Sequence, residues 1–349
     1  MKLIKIENRK IGDGQPAFIV AEMSGNHLQR FDLAVKTIHA MKEAGADAVK
    51  LQTYTADTIS FDSNNKYFQI HQGTIWDGTT LHKLYEKAFM PWDWQPKLKK
   101  VAHDLDMPLF SSPFDKTAVD FLEKMKVPVY KIASPEITDL PLIEYIAQKG
   151  KPMFISTGIA RLNDIKEAIN ACKRKKNLQI ILLKCTTAYP APLSEVNLKT
   201  MVGMGKKFHT IIGLSDHTMS LATSIAAAAL GAKVIEKHFI LDRKLGGPDA
   251  KFSLEPQEFK QMVQGIRDTE QAIGKVSYNL SPTARKSREF CRSLFVVADM
   301  AKNDIFTTKN VRSIRPGFGL APKYLPKILG KRACRNIKKG TPLAWSHAA

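Results

Sequence analysis

The chain has 349 residues, 44% hydrophobic and 25% charged, with 20 glycines and 18 prolines. This ordinary globular composition excludes disordered and fibrous classes, and the length suits two domains or one large α/β barrel with a small appendage. The net charge of +20 is uneven, with +13 in the last 75 residues. No zinc finger, RNP-like motif or recognition helix accompanies that basic tail, so it reads as a solvated or small-anion surface, with no nucleic-acid partner.

From the start of the chain, Met1-Lys2-Leu3-Ile4-Lys5-Ile6-Glu7 spreads charge through what would be the apolar part of a signal peptide. The uncharged run Thr218 to Ala232 is 15 residues, too short to span a bilayer. No membrane partner is expected. Cys172, Cys185, Cys291 and Cys334 lie far apart without C-x-x-C spacing, which argues against a disulfide framework or structural zinc and for a reducing cytoplasm. Cys185 reads as a structural thiol.

Eight short apolar runs follow in order: Ala17 to Glu22, Ala48 to Thr53, Pro108 to Ser112, Val129 to Ser134, Pro152 to Thr157, Gln179 to Thr186, Thr210 to His217 and Val234 to Phe239. Amphipathic stretches of helical length lie between most of them, such as Phe31 to Ala44, Thr117 to Met125 and Leu162 to Lys173. Strand-end residues recur at 22 residues from Ser112 to Ser134 and from Ser134 to Ser156, and at 21 from His217 to His238. Eight βα units predict a (β/α)8 TIM barrel over residues 1–274. Tyr54 to Pro91 breaks the period as a long insertion holding Trp76, Asp77 and Tyr85, with Trp92 and Trp94 just beyond. Loops of that length are commonly functional, and a lid over the site is expected. Residues 275–289 read as a linker and 290–349 as a small β-containing module near the lower size limit for an independent core.

In such barrels the C-terminal strand ends build the site, so Glu22, Lys50, Gln52, Ser112, Lys131, Ser134, Glu136, Ser156, His217 and His238 are expected to converge. Lys50 and Gln52, Ser215 and His217, and Glu236 and His238 are each two apart on a strand and share a face. Lysines buried in a barrel require an anion. Either Glu22, Glu136 and Glu236 supply it as an internal ion-pair network, or a ligand does, with strand-end serines suited to phosphate or carboxylate oxygens. His217 and His238, at matching ends of adjacent strands, are the metal candidates, for Mn, Fe, Co or Zn, with positions left for a Lewis-acid role.

These residues resemble the sialic acid synthases. The likeness rests on Phe18 to Glu22 leading to Asn26-His27, Glu43 to Gln52, Lys131-Ile132-Ala133-Ser134-Pro135-Glu136, Gly213 to Thr218, Glu236-Lys237-His238-Phe239 and Gly247-Pro248-Asp249. The tail, with Ser293-Leu294, Asn310 to Gly317 and Ile337 to Gly340, is similar to their antifreeze-like (SAF) module. The insertion from Gly73 to Leu81 and on to Pro96 resembles the pseudaminic acid branch. Two positions depart from the family pattern: Pro135 stands where a glycine is common and Lys237 where an arginine often stands.

The resemblance implies condensation of phosphoenolpyruvate with an N-acylated amino sugar, 2,4-diacetamido-2,4,6-trideoxy-altrose in that branch, and a place in flagellin glycosylation. It assigns Lys50, Ser112, Lys131, Ser134, Ser156 and Ser215 to phosphoenolpyruvate, Glu22, Glu136 and Lys131 to catalysis, and Gln52, Tyr189, Asp249, Phe290 and Arg315 to the sugar. It further implies a divalent metal (Mn, Mg or Co) on His217 and His238, and a domain-swapped homodimer in which Arg315 reaches a partner's barrel. The alternatives are N-acetylneuraminate or legionaminate synthesis, a metal aldolase using pyruvate, and a non-enzymatic anion- or nucleic-acid-binding protein.

Overall fold

A computed structural model describes residues 3–349. They fall into two compact units, one ending at Gly274 and one beginning at Lys275.

The first unit opens with an antiparallel hairpin, β1 (Ile4–Ile6) and β2 (Arg9–Ile11), paired Ile6 to Arg9. Its two-residue turn places Glu7 at φ 48°, the left-handed conformation such turns need. Ile4, Ile6 and Ile11 face inward and join the barrel core, so the charges of this segment decorate a strand's outer face. The hairpin was not anticipated from the sequence.

Eight parallel strands then close into a barrel: β3 (Phe18–Glu22), β4 (Ala48–Thr53), β5 (Leu109–Pro113), β6 (Tyr130–Ile132), β7 (Met153–Ser156), β8 (Ile180–Cys185), β9 (Ile211–Asp216) and β10 (Val234–His238). Each pairs with the next and β10 pairs with β3. All eight expected strands are present, most within one residue. The largest departure is β6, which stops at Ile132 because Ser134 is already helical and Pro135 opens a 3-10 turn over Pro135–Thr138. Proline, with φ preset, favours that start.

The insertion after β4 is not a bare loop. It holds helices Ala56–Ile59 and Leu81–Ala88, capped by the Thr55 and Thr80 hydroxyls. Its neck is closed by Trp92 Nε1 donating to the Tyr54 carbonyl at 3.1 Å.

In the second unit, Ser281 caps a short exposed helix, Pro282–Ser287, inside the segment expected to be a plain linker. Strands β11 (Ser293–Val296) and β12 (Val311–Ile314) pair antiparallel over a small core that includes Leu294, Val296, Phe306, Val311 and Ile328. Among the described residues no helix is long and apolar enough to cross a membrane.

Candidate active site

The carboxyl ends of the barrel strands open into a cavity of about 600 Å³, a size suited to small metabolites. Its floor is built from Glu22, Lys50, Gln52, Ser112, Lys131, Ser134, Ser156, Ser215, Glu236, His217 and His238. Parallel strands covered on both faces leave the inward position at each carboxyl end as the place where polar side chains can meet one another.

The two lysines are paired with carboxylates. Lys50 Nζ donates to Glu22 Oε2 at 2.7 Å and to Glu236 Oε1 at 3.0 Å, and Lys131 Nζ donates to the same Glu236 oxygen at 2.8 Å. Gln52 Nε2 holds the other Glu22 oxygen at 2.8 Å. Ser215 Oγ donates to Glu236 Oε1 at 2.8 Å. The internal network is therefore present, and it uses the residues that were expected to meet an anion. Burial alone would raise the Glu22 carboxyl, but Lys50, then His238 and Lys131, hold it well below the usual carboxylate range. Burial likewise opposes ionisation of Glu236, and Lys131 and Lys50 overcome it. Lys50 is pushed up against burial by Glu22 and Glu236, whereas burial wins at Lys131 and lowers it.

Beside this lattice sit hydroxyls with nothing to bond. Ser112 Oγ, Ser156 Oγ and Thr187 Oγ1 are buried without a partner, a costly arrangement unless something else satisfies them. Ser134 Oγ accepts from the Gly158 N–H at 3.0 Å. A side chain at Gly158 would collide with Thr187 Oγ1 and Ser134 Oγ, so the close approach requires glycine.

His217 and His238 both face the cavity, with ring centroids 5.3 Å apart. His217 Nδ1 lies 2.9 Å from the Thr186 carbonyl, so this nitrogen carries the proton and Nε2 keeps the lone pair. His238 Nε2 lies 3.3 Å from Glu22 Oε2, and its Nδ1 is buried without a partner. Each imidazole thus keeps one uncommitted nitrogen, which fits a metal ion held by two histidines. Among the described residues no group of three or more His, Cys, Asp or Glu could hold an ion unaided, so water or substrate oxygens would complete its coordination. Behind the histidines, at the preceding residue of each strand, Lys237 pairs with Asp216 at 2.9 Å with both side chains essentially inaccessible.

Tyr189 packs against His217 with ring planes tilted by 46° and centroids 4.5 Å apart, and Asp249 Oδ2 accepts from the Gly25 N–H at 3.1 Å; both line the cavity. Glu136 is not among the lining residues, although its neighbour Pro135 is. Its carboxyl is raised to about 7 by burial, against the pull of its own backbone N–H and of Lys131, and Oε2 has no partner. Glu136 lies on the turn that follows β6, in the βα loop, close enough to the lining residues Lys131 and Tyr85 to interact with them electrostatically. Phe290 and Arg315 belong to the second unit and are not among the residues lining this cavity.

Three residues carry more here than the sequence indicated. Glu236 is the hub of the lattice; the sequence offered it as one of three carboxylates that could match the lysines but did not show that both lysines and Ser215 meet on one of its oxygens. Thr187 had no signal beyond lying two residues past the end of a strand. Cys185 lines the cavity with Sγ 3.7 Å from His217 Nδ1.

A sequence model of the NeuB family matches residues 37–278, and one of the SAF domain matches 292–349. The chain is 45% identical to a pseudaminic acid synthase of Helicobacter pylori, covering 95% of this chain and 97% of the relative. It is 39% identical to an N,N'-diacetyllegionaminic acid synthase of Campylobacter jejuni over 92% of this chain and 97% of that one. The crystal structure of an N-acetylneuraminic acid synthetase from Leptospira borgpetersenii, in complex with citrate, superposes with a TM-score of 0.73 at 29% identity, covering 82% of this chain and 95% of that one. A match over more than half the chain, with relatives aligned almost end to end, makes this protein an enzyme of the NeuB family that carries a SAF domain at its C-terminal side.

Proposed function

We propose that this enzyme joins phosphoenolpyruvate to the open-chain form of 2,4-diacetamido-2,4,6-trideoxy-altrose, giving pseudaminic acid and phosphate. The observation that carries the reading is one cavity in which two buried ammonium groups, partnerless hydroxyls and two imidazoles meet. The likeness to the Helicobacter enzyme supports the sugar.

Lys50, Ser112, Lys131, Ser134, Ser156 and Ser215 are assigned to the phosphate and carboxylate of phosphoenolpyruvate. The unpaired hydroxyls of Ser112 and Ser156 can donate to the ligand at once. Lys50 and Lys131 each have an N–H donor beyond those given to Glu22 and Glu236, and Ser215 can donate by turning its single O–H away from Glu236. A divalent ion, manganese, magnesium or cobalt, held by His217 and His238 would supply Lewis-acid polarisation of the aldehyde oxygen. The enol carbon forms the new bond to the aldehyde carbon, and the aldehyde oxygen takes up a proton. Water adds at the phosphate-bearing carbon and loses its proton. The tetrahedral centre then collapses to the ketone, breaking the C–O bond so that the bridging oxygen leaves with phosphate. Glu22, held ionised, stabilises positive charge at that carbon, Lys131 neutralises the departing phosphate, and Glu136 exchanges a proton near neutral pH. Gln52, Tyr189 and Asp249 are assigned to the sugar, with Phe290 and Arg315 supplied by a second copy in a domain-swapped homodimer. The reaction is placed in the cytoplasm.

Product mass analysis after incubation with phosphoenolpyruvate, manganese and a panel of N-acylated sugars tests the reading. One phosphate per pseudaminic acid is expected, with a labelled bridging oxygen recovered in phosphate. Equal turnover of N-acetylmannosamine overturns the sugar assignment, and preference for the legionaminic acid precursor favours the second reading, which the Campylobacter relative supports. Turnover of pyruvate without phosphate release makes it an aldolase. Mixing Arg315→Ala with Glu136→Ala should restore part of the activity if the second unit acts across subunits.

A further inference from the structure

The cavity has two walls of opposite chemistry. The strand ends supply the ionic lattice, whereas the insertion contributes mostly apolar and aromatic side chains, Ile70, Trp76, Leu84 and Tyr85 among them, with Gln72 and Thr74 as polar neighbours. Trp76 is fixed in place: its Nε1–H donates to the Pro248 carbonyl at 2.9 Å, next to Asp249. Its ring lies 5.3 Å from that of Tyr189, which in turn lies 4.5 Å from His217. The indole is therefore two ring contacts away from the imidazoles. Pro248 has no N–H to offer and its carbonyl is engaged by the indole, so the backbone at this point presents no free donor to a ligand. A hydroxyl placed against the indole face itself would give up water without a replacement partner there, while a methyl group would lose nothing.

Resting on the reaction proposed above, we infer that Trp76 is a specificity-determining residue. Its indole, pinned by Pro248, is the surface that receives the deoxygenated end of the sugar remote from the aldehyde. The ionic wall fixes phosphoenolpyruvate, and the apolar wall selects an acceptor with a methyl group where other hexoses carry a hydroxymethyl group.

The test compares kcat/KM for phosphate release with the 2,4-diacetamido-2,4,6-trideoxy sugar and with its 6-hydroxy counterpart. The unaltered enzyme should prefer the deoxy sugar by roughly 10- to 100-fold. Trp76→Ala should cut that preference to about threefold or less, mainly by raising KM for the deoxy sugar, with KM for phosphoenolpyruvate unchanged. Trp76→Phe, which keeps an aromatic face and removes the N–H, should retain most of the preference. The inference is overturned if Trp76→Ala turns over with the original ratio, or if Trp76→Phe loses the preference as fully as Trp76→Ala. If the unaltered enzyme releases phosphate with neither sugar, the reaction assignment itself has failed and the inference falls with it.

Discussion

Cationic residues live in opposite environments in the two units. In the barrel, Lys50, Lys131 and Lys237 have side chains 3%, 3% and 0% exposed, each against a carboxylate. In the second unit, the Lys338–Asp299 pair stands 86% and 60% exposed, within a segment of net charge +13. Desolvation makes the difference. A buried ammonium must be matched by an anion at short range, so its position is fixed and its partners are few. An exposed one is matched by water, and its ion pair contributes little. The count of positive charges therefore says less about chemistry than the number that have lost their water.

The strongest way to break this contrast is to remove the hub. Glu236→Ala leaves Lys50 and Lys131 facing each other with one carboxylate fewer. It should destabilise the barrel toward the upper end of roughly 3–5 kcal/mol and lower activity by about a thousand-fold or more. Urea unfolding and phosphate release measure the two effects, and near-native values for both would show that the lattice is not anchored there. Next comes the pair behind the histidines. Lys237→Met strands Asp216 in the interior and should cost about 3 kcal/mol. The double variant Lys237→Met, Asp216→Leu should recover most of that stability, because an apolar pair can replace a buried ion pair. If the pair aligns β9 and β10, the double variant should still bind manganese more weakly by titration calorimetry.

Much of this was readable from sequence because of one physical constraint. Strands covered on both faces must be nearly all apolar, so polar residues closing each run, such as Ser112, Ser156 and His238, mark the open end of the barrel. The β1–β2 hairpin escaped because strands of three residues, Ile-Lys-Ile and Arg-Lys-Ile, give too short a pattern. Glu236 was visible as an inward residue but not as a hub, since its partners Lys131 and Lys50 lie 105 and 186 residues away along the chain. Glu136 falls in the βα loop rather than on β6 itself because Pro135 starts the turn there. The empty hydrogen-bonding capacity of Thr187 arises from tertiary packing and leaves no trace in sequence.

Glu136 offers a subtler test. Its folded-state value, raised to about 7 from an ordinary 4.5, means that the folded protein holds this proton more tightly than the unfolded chain does. Its contribution to stability is fully present below about pH 4.5 and is lost as the pH rises through about 7. The stability of Glu136→Gln relative to the parent should therefore improve by about 2–3 kcal/mol between pH 4.5 and 8, as read from urea midpoints. A constant difference across that range would show that the carboxyl is better solvated than its burial implies.

The smallest effect belongs to the exposed end of the comparison. Lys338 donates to Asp299 at 2.9 Å, a bond as short as those in the barrel. Distance alone would rank the two alike. Yet both groups keep most of their water, and the long lysine side chain must give up rotamer freedom to stay in place. Asp299 also accepts from the Lys339 backbone N–H at 2.7 Å, so it keeps a partner when the lysine is gone. Lys338→Ala should accordingly leave the urea midpoint nearly unchanged, with any small difference fading as salt is raised. A loss approaching that of Lys237→Met would mean that this surface is covered in the assembled protein, because only the removal of water could give so exposed a pair such weight.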